Sequence, residues 1–367
     1  DLTTSGGSLD ITSFNGLLST AAGADINASG GAGTASVRLE SLDPSQNLTI
    51  GGGITSGTGG ANLRAGGDLA VNGVVNGGGG AVQLRANSDG GGLGNLAVNA
   101  AVSTTGAGAI TLRGVQFSQS GTGTIGSDSG SVNGLFTGLS TVSRAITSTS
   151  GMLTLDTATT LNINAAVSGG GGVTLGGTAI NGNGSGTVTA QNNAIQITGG
   201  GAVDMIAAID SNGGNVTIGA GSALDLGSGL ISSAGGVITF TSGGVMTLTG
   251  PVSTGGGAFN ADVTGAGALS IENDIITSGG DMDITTFNGL LSSTAGADLN
   301  ASGGAGTASI RLESLNAGQG LTIGAGVTSG TGGANLRAGG NVTGNGVVNG
   351  GGGTAQLIAN TDNGIAG

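Results

Sequence analysis

Apolar residues in this chain come in triplets with a polar or small residue at the middle, and the triplets return at a regular distance. LAVNGVVNGGGGAVQL (69–84), LNINAAVSGGGGVTL (161–175), VDMIAAIDSNGGNVTI (203–218) and LDLGSGLISSAGGVITF (224–240) follow one template. An apolar-x-apolar triplet opens it, and a single apolar residue follows six positions after the start. Small polar residues and a glycine cluster come next, and a second triplet closes it. Alternation with a period of two marks a strand that buries one face. Val203 to Leu224, Val216 to Val237 and Leu63 to Leu84 are each 21 residues, and Leu161 to Val203 is twice that. Leu69 to Leu96 is 27, so some coils are longer.

A second, longer period contains the first. SLDITSFNGLL (8–18) returns as DMDITTFNGLL (281–291), an offset of 273. At that offset 1–94 aligns with 274–367 without a gap, and 68 of the 94 pairs are identical. The reading is therefore one long unit, 1–273, and the start of the next, 274–367, with both ends cut from a tandem array. Since 273 is thirteen times 21, the long unit should hold about a dozen coils.

Strands this short make no sandwich, and glycine clusters break helices. Stacked coils instead pair each strand in parallel with its equivalent, about 4.8 Å away, and line the inward aliphatics up as a core. The pattern predicts an all-β chain, a right-handed parallel β-helix (β-solenoid) with coils of about 21 residues, continuous over 1–367. Stacking at this spacing would give a rod about 80 Å long with small, polar, nearly featureless sides. Val203, Met205, Val216, Ile218, Leu224 and Leu226 are expected in the core. A left-handed hexapeptide helix does not fit, because 21 is not a multiple of six. The GGxGxDx runs of the calcium-binding β-roll are missing. Segment 114–150, with Phe117 and Phe136, follows the template poorly and is expected to form irregular or bulged coils. Asn72, Asn99 and Asn164, each just after a first triplet, are candidates for a side-chain ladder at one corner.

Composition narrows the chemistry. Glycine supplies 86 of 367 residues, without the three-residue period of collagen. Recurrent Val, Leu, Ile and Ala argue against disorder. Net charge is −13, and the seven basic residues, all arginine, form no run, so nucleic acid is not an expected partner. No apolar run approaches the roughly 18 residues of a membrane-spanning segment. Without His or Cys, no Ser-His-Asp or Cys-His arrangement and no zinc site of the usual ligands can form. The glycine run Gly77–Gly80 precedes no GK[ST], so it reads as a coil corner. β-Helices do host polysaccharide-cleaving enzymes with paired carboxylates. Here the acids mostly stand singly, and no catalytic residue or cofactor is assigned.

Four acids are candidates for calcium. Asp204 and Asp225 are the outward middle residues of first triplets one coil apart, so they should be neighbours about 5 Å apart. An oxygen-ligated calcium ion would relieve their repulsion; two solvated carboxylates are the competing reading. Asp281 and Asp283, with Glu272 and Asp274 nearby, form a second such group. Thr111, Thr174 and Thr217 recur on the outside, but Gln83, Gln196 and Asn260 interrupt them, which weakens an ice-binding array. After the second triplet, Glu40, Arg64, Arg85 and Arg113 occupy equivalent coil positions. Glu40 should neighbour Arg64, and Glu313 should neighbour Arg337, as exposed ion pairs that fix register.

Runs such as GGDLAVNGVVNGGGGAVQLRAN and LNINAAVSGGGGVTLGG resemble the shafts of filamentous-haemagglutinin-type exoproteins, the two-partner-secretion and large autotransporter adhesins of Gram-negative bacteria. The resemblance covers nearly all of the chain outside 114–150 and lies in repeat style. It implies an extracellular place on the bacterial surface, a β-helical shaft, and a role in adhesion, aggregation or biofilm. The expected partners are neighbouring repeats, other copies end-to-end or laterally, and cell surfaces or polysaccharide. The expected function is a structural or adhesive rod without enzymatic activity. A polysaccharide- or ice-binding module is the alternative, and a β-helical lyase or hydrolase the third reading.

Overall fold

The computed structural model describes residues 1–30, 33–87, 94–304 and 306–360. It comprises two units, Asp1–Thr178 and Ala179–Gly367. Each is a parallel β-solenoid in which every coil adds one short strand to each of three sheets. In the first unit one coil contributes Val102–Thr104 to sheet 1, Ile110–Gly114 to sheet 2 and Phe117–Gln119 to sheet 3. In the second unit Ile209–Asp210, Val216–Ala220 and Leu224–Leu226 do the same.

Register shows the coil length directly. In sheet 2 Leu9 pairs with Val37, Val37 with Ala61, Ala61 with Val82 and Val82 with Ile110, steps of 28, 24, 21 and 28 residues. In the second unit Ile195, Val216, Ile238 and Phe259 follow at 21, 22 and 21. The described strands stay in register whatever the length of the coil.

Inward residues stack like upon like. Leu39, Leu63, Leu84 and Leu112 are register neighbours, all at 0% exposure. Val203, Met205, Val216, Ile218, Leu224 and Leu226 are all buried. One pairing differs from the sequence alignment. Val216 pairs with Ile238, and Val237 is the residue before that strand. The sequence VITF offers an apolar residue at both positions, and a shift of one reverses every side chain.

Segment 114–150 is wound as regularly as its neighbours, which corrects the expectation of bulged coils. Ile110 pairs with Val132 and Val132 with Leu153, steps of 22 and 21. The template is hidden there because several inward positions are not aliphatic. Gly134 lies between Leu112 and Leu155, and Ser140 between Phe117 and Leu161. Gly134 makes room for an aromatic: a Cβ there would lie 2.9 Å from Cε2 of Phe136 and 2.8 Å from Cδ2 of Leu155. Phe136 in turn stacks on Phe117 at 5.0 Å between ring centres.

The glycine clusters serve tight turns closed by a buried hydroxyl. Ser233 is fully buried and donates from Oγ to the carbonyl of Gly236 at 2.6 Å. Between them Ala234 and Gly235 have φ of 49° and 121°, left-handed geometry that favours glycine. Ser211, Thr254 and Thr277 make the same contact to Gly214, Gly257 and Gly280. The result in the second unit is a column of hydroxyls inside one corner, one per coil.

Candidate functional site

The outward side of sheet 2 carries the densest polar chemistry. Alternation sends Val37 and Leu39 inward and Arg38 and Glu40 outward. One coil on, Leu63 points inward and Asn62 and Arg64 outward, so Glu40 stands directly beside Arg64. Arg38 bonds Asp10 of the preceding coil through Nη1 at 2.8 Å and Glu40 of its own strand through Nη2. Arg64 Nη1 reaches the other oxygen of Glu40 at 3.0 Å. The four residues form a chain of opposite charges over three coils. The long repeat rebuilds it: Arg311 bonds Asp283 and Glu313, and Arg337 Nη1 meets Glu313 at 3.2 Å.

These pairs are not the exposed ones that alternation suggests. The Glu40 and Glu313 side chains are only 1% and 4% accessible. An arginine from the same strand and another from the next coil flank each carboxylate. Hydrogen bonds raise the Arg38 guanidinium above its ordinary pKa, with Glu40 the larger cause and Asp10 the second. Arg311 is raised as well, chiefly by Asp283. A carboxylate enclosed this way depends on its partners, because an unpaired buried charge is strongly destabilising.

Beside each network lies a shallow depression, lined by Arg38, Gly60, Asn62 and Gln83 in the first unit. Arg311, Gly333, Asn335 and Gln356 line its equivalent. Gly60 opens its strand at φ 80°, and a Cβ there would sit 2.1 Å from the carbonyl oxygen of Ala81. Both copies leave the same two buried atoms without a hydrogen bond, Asn62 Oδ1 with Arg64 Nε and Asn335 Oδ1 with Arg337 Nε. One is an acceptor and the other a donor, two residues apart on one strand face.

The glutamate column continues into like charges. Arg64, Arg85 and Arg113 are successive register partners. Burial first, then repulsion from Arg64 and Arg113, lowers the pKa of Arg85. At the next repeat the position of Arg85 is held by Ile358, so the three-arginine ladder belongs to the first long unit.

The four calcium candidates behave differently from one another. Asp204 and Asp225 are register neighbours on sheet 3. The Asp225 carboxyl is raised above the usual carboxylate range by burial first, then by Asp204 and Glu272. Asp281 instead accepts the Ser309 amide and hydroxyl at 2.8 and 2.9 Å, and Asp283 is held by Arg311. Asp274 accepts the amide of Asp298 at 2.9 Å, and Glu272 accepts the Thr249 hydroxyl at 3.3 Å. Among the described residues no three or more acids converge as a metal site.

Asn99 donates from Nδ2 to Asn72 Oδ1 at 2.8 Å, and Ser120 donates to Asn99 at 2.6 Å. Asn164 lies farther along the chain, outside this short ladder. On the outward side of sheet 2, Thr111 stands between Gln83 and Asn133 in the first unit, and Gln196 stands beside Thr217 in the second. Mixed side chains of this kind give no regular threonine array.

The lateral surface is less featureless than composition suggests. Phe14 and Leu17 are 71% and 60% exposed, with Leu42 close by on the next coil, and Phe287, Leu290 and Leu315 repeat the patch. The signal was present in FNGLL, where both apolar residues follow the end of the alternating strand. Among the described residues no helix is long and apolar enough to cross a membrane. No family model matches the chain, nor does any curated protein or solved structure.

Proposed function

We propose that this chain is part of the repetitive shaft of a large exported bacterial surface protein, acting in adhesion, aggregation or matrix without chemistry of its own. One observation carries the reading. The 273-residue repeat returns the same ion network, depression and exposed apolar residues on the same kind of coil. Repetition of an outer surface at intervals suits multivalent contact, where many weak encounters add up. Of the four acids singled out in the sequence, Asp281 and Asp283 already have protein partners. The test is display of the chain on the outer surface of a bacterium, with the purified chain screened on common polysaccharides. Clumping or attachment of the displaying cells without polysaccharide cleavage is expected. Turnover that disappears on changing Asp204, Asp225, Asp281 or Asp283 to Asn would overturn the reading.

The second reading, polysaccharide binding, draws support from the paired orphan atoms. Both atoms are closed to solvent, so a sugar hydroxyl would reach the Asn62 Oδ1 acceptor by displacing the Asn62 side chain. Saturable oligosaccharide binding lost in Asn62→Ala and Asn335→Ala together would favour it.

A further inference from the structure

Two charge ladders of opposite sign stand on the outside of this chain, each without a counter-charge among the described residues. Arg85 and Arg113 are direct register partners on sheet 2, and Asp204 and Asp225 are direct register partners on sheet 3. Like charges directly opposite on neighbouring strands destabilise a sheet. Among the described residues no acid pairs with Arg85 or Arg113, and no base with Asp204 or Asp225. Burial first, and like-charge repulsion after it, lowers the pKa of Arg85 and raises that of Asp225. Arg64, at the near end of the arginine column, differs because Glu40 neutralises it. Each ladder also carries an exposed apolar side chain. Leu135 follows Arg113 in the same column at 45% exposure, and Ile206 lies two residues past Asp204 at 45%.

We propose that the Arg85–Arg113 ladder of one copy docks on the Asp204–Asp225 ladder of a second copy. Both ladders have the rung spacing of stacked coils, about 4.8 Å, so two guanidiniums meet two carboxylates without adjustment of either backbone. Arginine suits the role, since its planar fork can hold a carboxylate through two hydrogen bonds. The two surfaces are made of different residues, so one copy can give its arginines to one neighbour and its aspartates to another. Contacts of that kind propagate from copy to copy. The inference rests on the scaffold reading and adds to it the surface through which copies associate.

Sedimentation of the full chain provides the test. Self-association is expected at about 0.01 M salt and should be lost at about 1 M, where the Debye length falls from about 30 Å to about 3 Å. Arg85→Glu with Arg113→Glu should weaken it by more than about tenfold, as should Asp204→Arg with Asp225→Arg. All four positions face outward, so circular dichroism should be unchanged. An equimolar mixture of the two double variants should associate again, because the new glutamates of one meet the new arginines of the other. Association that ignores salt, survives either double variant or fails to return in the mixture overturns the proposal. So does binding of dextran sulfate through Arg85 and Arg113 by a chain that does not self-associate, an outcome that gives the ladder to an external polyanion. Either failure leaves the scaffold reading standing, since that reading falls on polysaccharide turnover.

Discussion

At the scale of single residues, the turn between Ser233 and Gly236 shows how closely backbone demand and sequence correspond. Asn212, Gly255 and Ser278 occupy the position that Ala234 holds, all at positive φ. A β-branched residue is penalised there by about 1–2 kcal/mol. Ala234→Val should lower stability by about that amount and Ala234→Gly should not, as read from denaturant midpoints. Ionisation gives a second prediction. Asp262 is half-buried on sheet 2, and burial first, then Asp283, raises its carboxyl pKa by more than Arg311 lowers it. The folded state thus holds the proton more tightly than the unfolded state. Stability must fall as pH rises through the window between the ordinary and the raised value, and the full penalty stands above that window. Asp262→Asn should therefore be more stable than the parent at neutral pH. The advantage should vanish below the ordinary carboxylate range, where both states of the parent are protonated. A difference in midpoint that stayed constant with pH would refute this account. Glu40 marks the limit of reading single residues from the chain. Alternation correctly turns it outward, but its enclosure depends on Arg38 beside it and on Arg64, 24 residues later, and no local pattern reports that.

The strands and coils were the most legible level. Apolar-x-apolar triplets specify parallel stacking because a strand with one buried face needs an identical neighbour above and below. The reading failed where the inward column departs from aliphatics. Gly134 and Ser140 break the alternating signal while the backbone keeps its register, because Phe136 and Phe117 fill the volume from adjacent positions. Gly134 is therefore a packing residue. Gly134→Ala should cost about 1–3 kcal/mol through overpacking against Phe136 and Leu155, and the paired change with Phe136→Leu should recover part of the loss. Full additivity of the two changes in a thermal melt would show that the contact is not the cause. The candidate site was half legible. The equivalence of Glu40, Arg64, Arg85 and Arg113 follows from counting, whereas the depression beside Asn62 depends on a glycine conformation that composition does not distinguish from many others.

For the whole molecule, coils interact chiefly with their immediate neighbours, so stability approximates a sum over adjacent pairs. Removing one entire coil should then be tolerated. Deletion of residues 216–237 joins Asn215 to Ile238 and brings Ile238 into the place of Val216 beside Ile195. The shortened chain should retain its circular dichroism spectrum and unfold at a slightly lower denaturant concentration. Deletion of 216–226, about half a coil, should give a chain sensitive to protease under conditions in which the parent resists. Equal resistance of the two deletions would contradict a register-locked core.

Leu9 and Met282 each begin the strand that its own coil gives to sheet 2 and stand 273 residues apart, so the long repeat brings the chain back to the same phase of a coil. A recombination event between two copies of its coding sequence therefore delivers the next residue to the correct sheet, face and rung, whatever number of copies results. Descendants can differ in reach by entire repeats while every junction between them resembles those already present. Substitutions within one copy, such as Ile358 where its predecessor has Arg85, then individualise a surface locally. Length and surface chemistry can be inherited and altered separately.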